Sequence, residues 1–495
     1  MAKSGSEYVE DIAHDEEIMS PPETTFSVGA GESATGLDLE YLNDHDRNRK
    51  LTKRADLRIM PILAMMYLLN YLDRGNVGNA KVLNQETGDS LLQKTHMTSF
   101  QYSIAMTIFS VAYTVFEVPS NFIMKRYVRP SIWLGILLAC WGVVTIGFAG
   151  VQTYAQVVVL RALIGVFEAG FFPGIVYFIT FWYRVEERGL RIAFVVAHAN
   201  LAGAFGGCIA YGVGKLNGTD GIAGFRWLFI IEGLITAFFS LALFFLLPDY
   251  PSRAKWLSNE EKDFAEKRLQ VQGGGYTRAH ASLKEILDTC FSPRMLAHYF
   301  IYTLDSIPLA SFTFYTSTII TGLGYKSLEA QLLTIPPWVM GYLAALAISY
   351  SADYFNARGY FTALGSVIGG VGWLAAGCLP ADAYAARYGC LVLASCGAFP
   401  CVPPLSAWVT ANVPSIATMA IATALNNSAA GISQIIAQWI WKASEADAGY
   451  PTGNFTCAAC SFVVAIGAVC LRLMYGRMNK MDVRDAAGQK RVWAY

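Results

Sequence analysis

The sequence predicts an all-α integral membrane protein of twelve transmembrane helices, arranged as two six-helix pseudo-symmetric bundles. Three observations predict it. The 495 residues are 54% hydrophobic and only 15% charged, with a positive mean hydropathy, whereas soluble domains carry about 25% charged residues. Apolar runs recur at spanning length, roughly 20 residues each. They fall as six runs, a long polar loop and six more.

Residues 1–56 are rich in Glu, Asp, Ser and Gly and lack apolar periodicity, the composition of a disordered tail. No secretory signal is visible there, so the first span is expected to target the chain. Arg47, Arg49, Lys50, Lys53, Arg54 and Arg58 cluster just before it, which places the N-terminus in the cytosol by the positive-inside rule. The first bundle, 57–247, holds spans near 59–80, 100–124, 132–150, 156–182, 191–214 and 226–247. A cytosolic middle loop covers 248–294, with a helix beginning at an N-cap serine, Ser258. The loop reads as a mechanical link, part of which suits the inner membrane surface. The second bundle, 295–476, holds spans near 295–321, 330–352, 360–379, 386–410, 415–441 and 456–476, and 477–495 is a cytosolic tail.

Loop charges agree with this orientation. Connections expected in the cytosol hold Lys125, Arg126 and Arg129, then Arg184, Arg188 and Arg191, whereas outer loops hold scattered cations such as Lys94 and Lys215. Two glycosylation sequons, at Asn217 and Asn454, fall in expected outer loops. The net charge is zero, so there is no basic footprint for nucleic acid. Of the ten cysteines, nearly all lie in apolar runs, where a thiol packs as a small hydrophobe. The Cys457/Cys460 CxxC has no matching pair, and no metal site is expected. There is no GxSxG, HExxH or Walker loop, so neither an enzyme, a cofactor site nor ATP-driven transport is indicated.

Chemistry concentrates where charge interrupts an apolar run. Span 1 ends in Asn70–Lys81, with Asp73 and Arg74 adjacent. On a helix these two point about 100° apart, so each needs its own partner. Asn70 and Arg74 share a face, and Gly75 and Gly78 offer a strip for close helix approach. Span 4 carries Arg161 and Glu168, seven residues apart on nearly one face and too far to pair directly. Burial in a low-dielectric span favours the neutral form of a carboxylic acid, which suits proton exchange. Asp73 and Glu168 are therefore proton-carrier candidates. Arg74 and Arg161 supply positive charge for an anion.

Polar groups elsewhere are weaker candidates. His198 on span 5 is either a hydrogen-bonded packing residue or a proton relay. Asn426, Asn427 and Gln434 on span 11 offer inward amides for a carboxylate or hydroxyl, and Tyr302 on span 7 is one of several aromatics able to close a cavity. Prolines at 119, 173, 308, 336–337 and 400 fit helices that bend during gating. An internal echo relates Tyr67–Asp73 of span 1 to Tyr299–Asp305 of span 7, with Ser306 standing where Arg74 does. The halves then share ancestry but not charge, which puts the substrate-anchoring cation in the first half.

The twelve-span layout resembles the major facilitator superfamily. The motifs Leu72-Asp-Arg-Gly-Asn-Val-Gly-Asn-Ala-Lys81 and Arg161-x6-Glu-Ala-Gly-Phe-Phe-Pro-Gly174 are similar to its anion:cation symporter branch, within it the fungal allantoate permease group of nicotinate, pantothenate and carboxylate permeases. The resemblance covers roughly 45–490. It implies a monomeric, proton-coupled symporter of a small organic anion, with protons on Asp73 and Glu168 and substrate on Arg74 and Asn427 or Asn426. It also implies a cytosolic latch, for which Lys125, Arg126, Arg129, Asp353 and Arg358 are the candidates. The loop after span 2 departs from the superfamily pattern, having Lys125-Arg126 and no acid. Plasma-membrane uptake is the leading expectation. An exporter of an acidic secondary metabolite and a nutrient sensor with little transport are the alternatives.

Overall fold

The computed structural model describes residues 45–270, 283–355, 357–413 and 416–481. Residues 1–44 and 482–495 of the expected tails lie outside that range, whereas 45–56, expected to be disordered, begin the first long helix, because Leu51 and Ala55 find a buried apolar face there. Helices longer than one turn are numbered in chain order. The first half holds α1 (His45–Val82), α2 (Ser99–Arg126), α3 (Pro130–Gly147), α4 (Tyr154–Glu168), α5 (Phe171–Thr180), α6 (Val185–Gly214) and α7 (Gly224–Leu246). Between the halves lie α8 (Asn259–Gln270) and α9 (Leu283–Cys290). The second half holds α10 (Pro293–Gly322), α11 (Ser327–Leu333), α12 (Ile335–Tyr354), α13 (Arg358–Cys378), α14 (Tyr384–Ala398), α15 (Val402–Ala411), α16 (Ile416–Ile440) and α17 (Pro451–Lys480).

Ten helical stretches among the described residues are long and apolar enough to cross a membrane. Two more long helices, α10 and α16, of 30 and 25 residues, stand in the places expected for spans 7 and 11. Three expected spans are broken. The breaks fall between α4 and α5, before Pro173; between α11 and α12, before Pro336; and between α14 and α15, at Pro400. A proline lacks the N–H its helix needs and crowds the preceding turn, so a break just before it is the expected outcome. Pro119 and Pro308, by contrast, sit inside unbroken α2 and α10.

The packing repeats between halves. In the first, α1 lies against α6, α2 against α4 and α3 against α7; in the second, α10 lies against α16, α12 against α14 and α13 against α17. These are equivalent pairs under a swap of six spans, so the two bundles share one plan. Large apolar side chains such as Phe238, Phe245 and Val118 stand outward and exposed, as a lipid-facing surface requires.

The halves meet through α1–α10, α6–α12 and α2–α16. Gly78 makes the first contact possible, since a Cβ there would stand 2.5 Å from the Phe314 carbonyl oxygen. Gly75, its partner in the expected strip, has open space. Hydrogen bonds then join the halves at one end of the molecule. Ser317 donates to Asn79 Oδ1 (2.6 Å), Thr107 donates to Gln438 Oε1 (3.1 Å), and Gln438 Nε2 donates to Ser110 (3.0 Å). The Ser327 amide donates to Glu86 at 3.0 Å. In the expected topology this is the outer end.

At the opposite end α8 packs against the first half. The expected cap is present, with Glu261 N bonded to Ser258 Oγ at 3.2 Å. Phe264 and Ala265 are buried in the first-half core, and Arg268, 1% exposed, reaches Thr52 at 3.1 Å and the Trp182 carbonyl at 2.8 Å.

Candidate functional site

The site is built where three first-half helices cross at membrane depth. Adjacency in sequence makes Asp73 and Arg74 diverge, and each finds a different partner. Arg74 turns toward α4 and donates Nε to Glu168 Oε2 at 2.7 Å, with both side chains buried. Asp73 turns toward α3 and accepts from Trp141 Nε1 at 2.6 Å. The rings of Tyr113, Tyr71 and Phe109 surround the Arg74 guanidinium at 4.8, 5.4 and 5.7 Å. Such a cage gives a buried cation some compensation without fixing it in place. Asn70 is buried one turn before, beside Glu168.

Gly165 lets α4 come this close, since a Cβ there would stand 2.5 Å from the Phe109 carbonyl oxygen of α2. Arg161, two turns before Glu168 and 1% exposed, makes no ion pair among the described residues. Its Nη2 meets Met106 Sδ at 3.4 Å, and Phe109 and Phe148 flank it at 5.3 and 5.8 Å. The spacing argument that Arg161 and Glu168 do not pair is what the geometry shows. Arg161 thus adds fixed positive charge behind the Arg74–Glu168 pair.

One acid escaped the sequence reading. Glu232 on α7 is 2% exposed, and its Oε2 accepts from Asn76 Nδ2, one turn beyond Asp73 on α1. The signal was a lone carboxylate in the middle of the apolar run Gly224–Leu246, a costly placement by the same argument that singled out Asp73. Glu117 on α2, half-buried near Arg74 and Tyr113, was missed too.

The other expected residues lie apart from this cluster. His198 Nδ1 bonds the Phe194 carbonyl of its own helix at 2.8 Å, which is the packing alternative. Asn426 is buried with an unbonded Oδ1, while Asn427 and Gln434 are half-buried on α16. Tyr302 is buried on α10 with Tyr71 of the other half among its neighbours. Asp305, the echo of Asp73, is 4% exposed and lies beside the Cys401 thiol. A small cleft of about 30 Å³ lies between the halves, walled by Tyr71, Gly75, Asn79, Ser317 and Trp338. Tyr71 therefore stands both on this cleft and against Arg74.

Of the two glycosylation candidates, one is at odds with the structure. Asn454 is buried in the first turn of α17, where its Nδ2 donates to Gly449 and Tyr450 carbonyls at 2.9 and 3.0 Å. A sugar on that nitrogen would displace both bonds. Asn217 is half-buried, and its Nδ2 donates to Asp89 at 2.8 Å and Thr87 at 3.2 Å. The latch candidates lie as follows. Lys125, Arg126 and Arg129 are exposed, Arg358 donates to the Ala407 carbonyl at 3.3 Å, and the Asp353 side chain lies outside those described.

Two helical halves on one plan, the first holding a buried charge cluster, define a helical membrane carrier. The chain belongs to the Major Facilitator Superfamily, whose family model matches residues 63–438. It is 48% identical over 441 residues to the MFS transporter prlL of a fungal species (strain NRRL 50135), covering 89% of each chain. It is 32% identical to the MFS-type transporter cnsO of Penicillium expansum, over 79% of this chain and 76% of that one. Among solved structures, a bacterial homolog of the human lysosomal transporter Spinster shares the fold, with a TM-score of 0.66 at 14% identity over 84% of this chain and 96% of that one. The relatives are transporters, and small-molecule transport across a membrane is the shared activity.

Proposed function

We propose that this chain is a proton-coupled symporter that takes up a small organic anion, a carboxylate, by alternating access. One observation carries the reading: the only carboxylate bonded to Arg74 among the described residues is Glu168, itself fully buried. While Glu168 is ionised, Arg74 is satisfied. A proton on Glu168 weakens the pair and leaves the guanidinium to a substrate carboxylate, for which a planar fork of donors is well suited. Loss of that proton on the cytosolic side restores the pair and expels the anion. Asp73, with one oxygen bonded to Trp141 and the other unbonded, is the second proton carrier.

Asn70 is placed to steady Glu168 in either charge state. Asn426, Asn427, Gln434 and Tyr302 would complete the anion site from the second half as the bundles rock, and Arg161 supplies background attraction. The halves are joined at the end that the loop charges make external, so the conformation supports an inward-facing carrier with its outer seal closed. Lys125, Arg126, Arg129, Asp353 and Arg358 would then meet only when the cytosolic side shuts. Plasma-membrane residence, cytosolic termini and a monomeric state belong to the same reading. Placement in the anion:cation symporter branch rests on the two motifs.

The test is uptake of a panel of radiolabelled carboxylates into cells expressing the chain, with and without a protonophore. Accumulation of one acid that the protonophore abolishes is expected. Lower retention of a preloaded acid than in control cells would reverse the direction to export. Saturable binding without flux would make the protein a sensor.

A further inference from the structure

The junction of α1, α3 and α7 holds more buried oxygen than its donors satisfy. Trp141 bonds one oxygen of Asp73, and Asn76 bonds one oxygen of Glu232. Asp73 Oδ1, Glu232 Oε1, Asn76 Oδ1, Thr145 Oγ1 and Thr236 Oγ1 are buried with no hydrogen-bond partner. Asn76 follows Asp73 by one helical turn, and Thr236 follows Glu232 by another, so both helices present a polar rung to the same seam. On α3, Gly142 packs against Thr236, and Thr145 sits one turn beyond Trp141. An unbonded carboxylate oxygen in such a place is costly when charged.

Among the described residues no cation is bonded to either acid, although Arg161 lies near enough to act on Asp73 through space. Arg74 is taken by Glu168, and Arg161 by sulfur and aromatic rings. Helices α1, α3 and α6 pack on α7. Asp73 of α1 is the charged neighbour of Glu232. Helix α3 carries only the Cys140 thiol as an ionisable group, and α6 beyond Arg191 carries His198, Cys208 and Tyr211. None of these is hydrogen-bonded to Glu232; His198 is bonded to Phe194.

We infer that Glu232 is a proton-binding residue that titrates together with Asp73, so that the first half holds exchangeable protons at two linked acids besides the Arg74–Glu168 pair. The step is the simplest one available: a carboxylate oxygen gains a proton from water and becomes a neutral acid, with nothing else consumed. Two acids this close deprotonate as a pair, the first loss opposing the second. Asn76 is built for both states, since its amide can donate to a carboxylate or accept from a carboxylic acid. The inference rests on the reading of Asp73 as a proton carrier, but its test needs no substrate.

Infrared difference spectra of the full chain in nanodiscs, taken between acidic and alkaline pH, read the carbonyl band of protonated acids directly. The Glu232→Gln variant is expected to lose one component of that band. Asp73→Asn is expected to lose another and to shift the midpoint of the component that Glu232 leaves. An unchanged spectrum in Glu232→Gln would overturn the inference, as would a band that sodium removes at constant pH, which would mark a metal cation rather than a proton. Should Glu232→Gln fail to fold, an apolar carbodiimide on the unaltered protein serves, because it modifies protonated buried carboxyls. Labelling of the Glu232 peptide that fades as pH rises supports the proposal, and absence of labelling at every pH overturns it. If the band behaves as expected while no carboxylate is accumulated by proton force, the symport reading falls and the Glu232 assignment stands.

Discussion

The two halves of this carrier share a helix plan and differ in charge. The first buries Asp73, Arg74, Arg161, Glu168 and Glu232 in its helical core. At the corresponding place the second buries Asp305, next to a thiol, with Ser366 also bonded to that thiol at 3.3 Å. Ser306 takes the place of the arginine. One bundle therefore carries a buried ion pair, which under the proposed function is the switch, and the other carries hydroxyl and amide groups that the same proposal assigns to substrate recognition. The shared plan gives two packing scaffolds, and the first holds more of the costly buried charge.

The largest effect should come from breaking the pair that distinguishes the halves. Arg74→Ala leaves Glu168 uncompensated, which costs about 3–5 kcal/mol for a buried pair. Uptake should vanish and thermal unfolding of the purified chain should fall sharply. Adding Glu168→Ala should recover most of the stability and none of the transport.

The next effect contrasts the equivalent acids. Asp73→Asn is expected to abolish accumulation against a gradient while sparing exchange of substrate across the membrane. Asp305→Asn in the second half should leave proton-driven accumulation near the unaltered level. Equal losses in both variants would mean that charge chemistry is shared between halves.

A third substitution acts on the seam. Gly78→Val places methyl groups against the Phe314 carbonyl, only 2.5 Å from the first added carbon, so the outer seal cannot close. Such a variant should expose Asn79 and Ser317 to externally added labels after cysteine substitution, and should bind substrate from outside without releasing it inside.

The smallest effect lies in the outer hairpin. Lys94, at 2.8 Å, and Asn217 bond the Asp89 carboxylate and hold it down to about 2. A lowered value contributes stability above the unfolded acid's pKa near 3.9, and that contribution is lost as pH falls toward 2. Hydrogen exchange over 84–97, corrected for the intrinsic rate at each pH, should therefore be the same at pH 5 and pH 7. Asp89→Asn, worth no more than about 1 kcal/mol at such an exposed pair, should speed it at both.

Much of this was legible in the sequence because the membrane makes charge conspicuous. Asp73, Arg74, Arg161 and Glu168 each interrupt an apolar run, and adjacency alone predicted that Asp73 and Arg74 would find separate partners. Which partners they find was not legible. Periodicity relates residues of one helix, whereas the Glu168 and Trp141 contacts are set by how three helices cross. Glu232 carried the same signal as Asp73 but lacked a neighbouring motif to draw attention to it. Gln438 was visible as a polar residue of α16, yet its role in bonding the halves depends on their relative placement. The sequon at Asn454 misled because a three-residue pattern says nothing of whether its nitrogen is already bonded.

The most direct test of the central claim uses whichever panel acid the cells accumulate, in Glu168→Gln. A glutamine cannot lose a proton, so the Arg74 switch should be locked in its substrate-accepting state. The expected result is exchange of labelled for unlabelled acid at a rate like that of the unaltered protein, with no accumulation and no response to a protonophore. Accumulation that persists in Glu168→Gln and still collapses with protonophore would contradict the claim that this ion pair couples proton to anion.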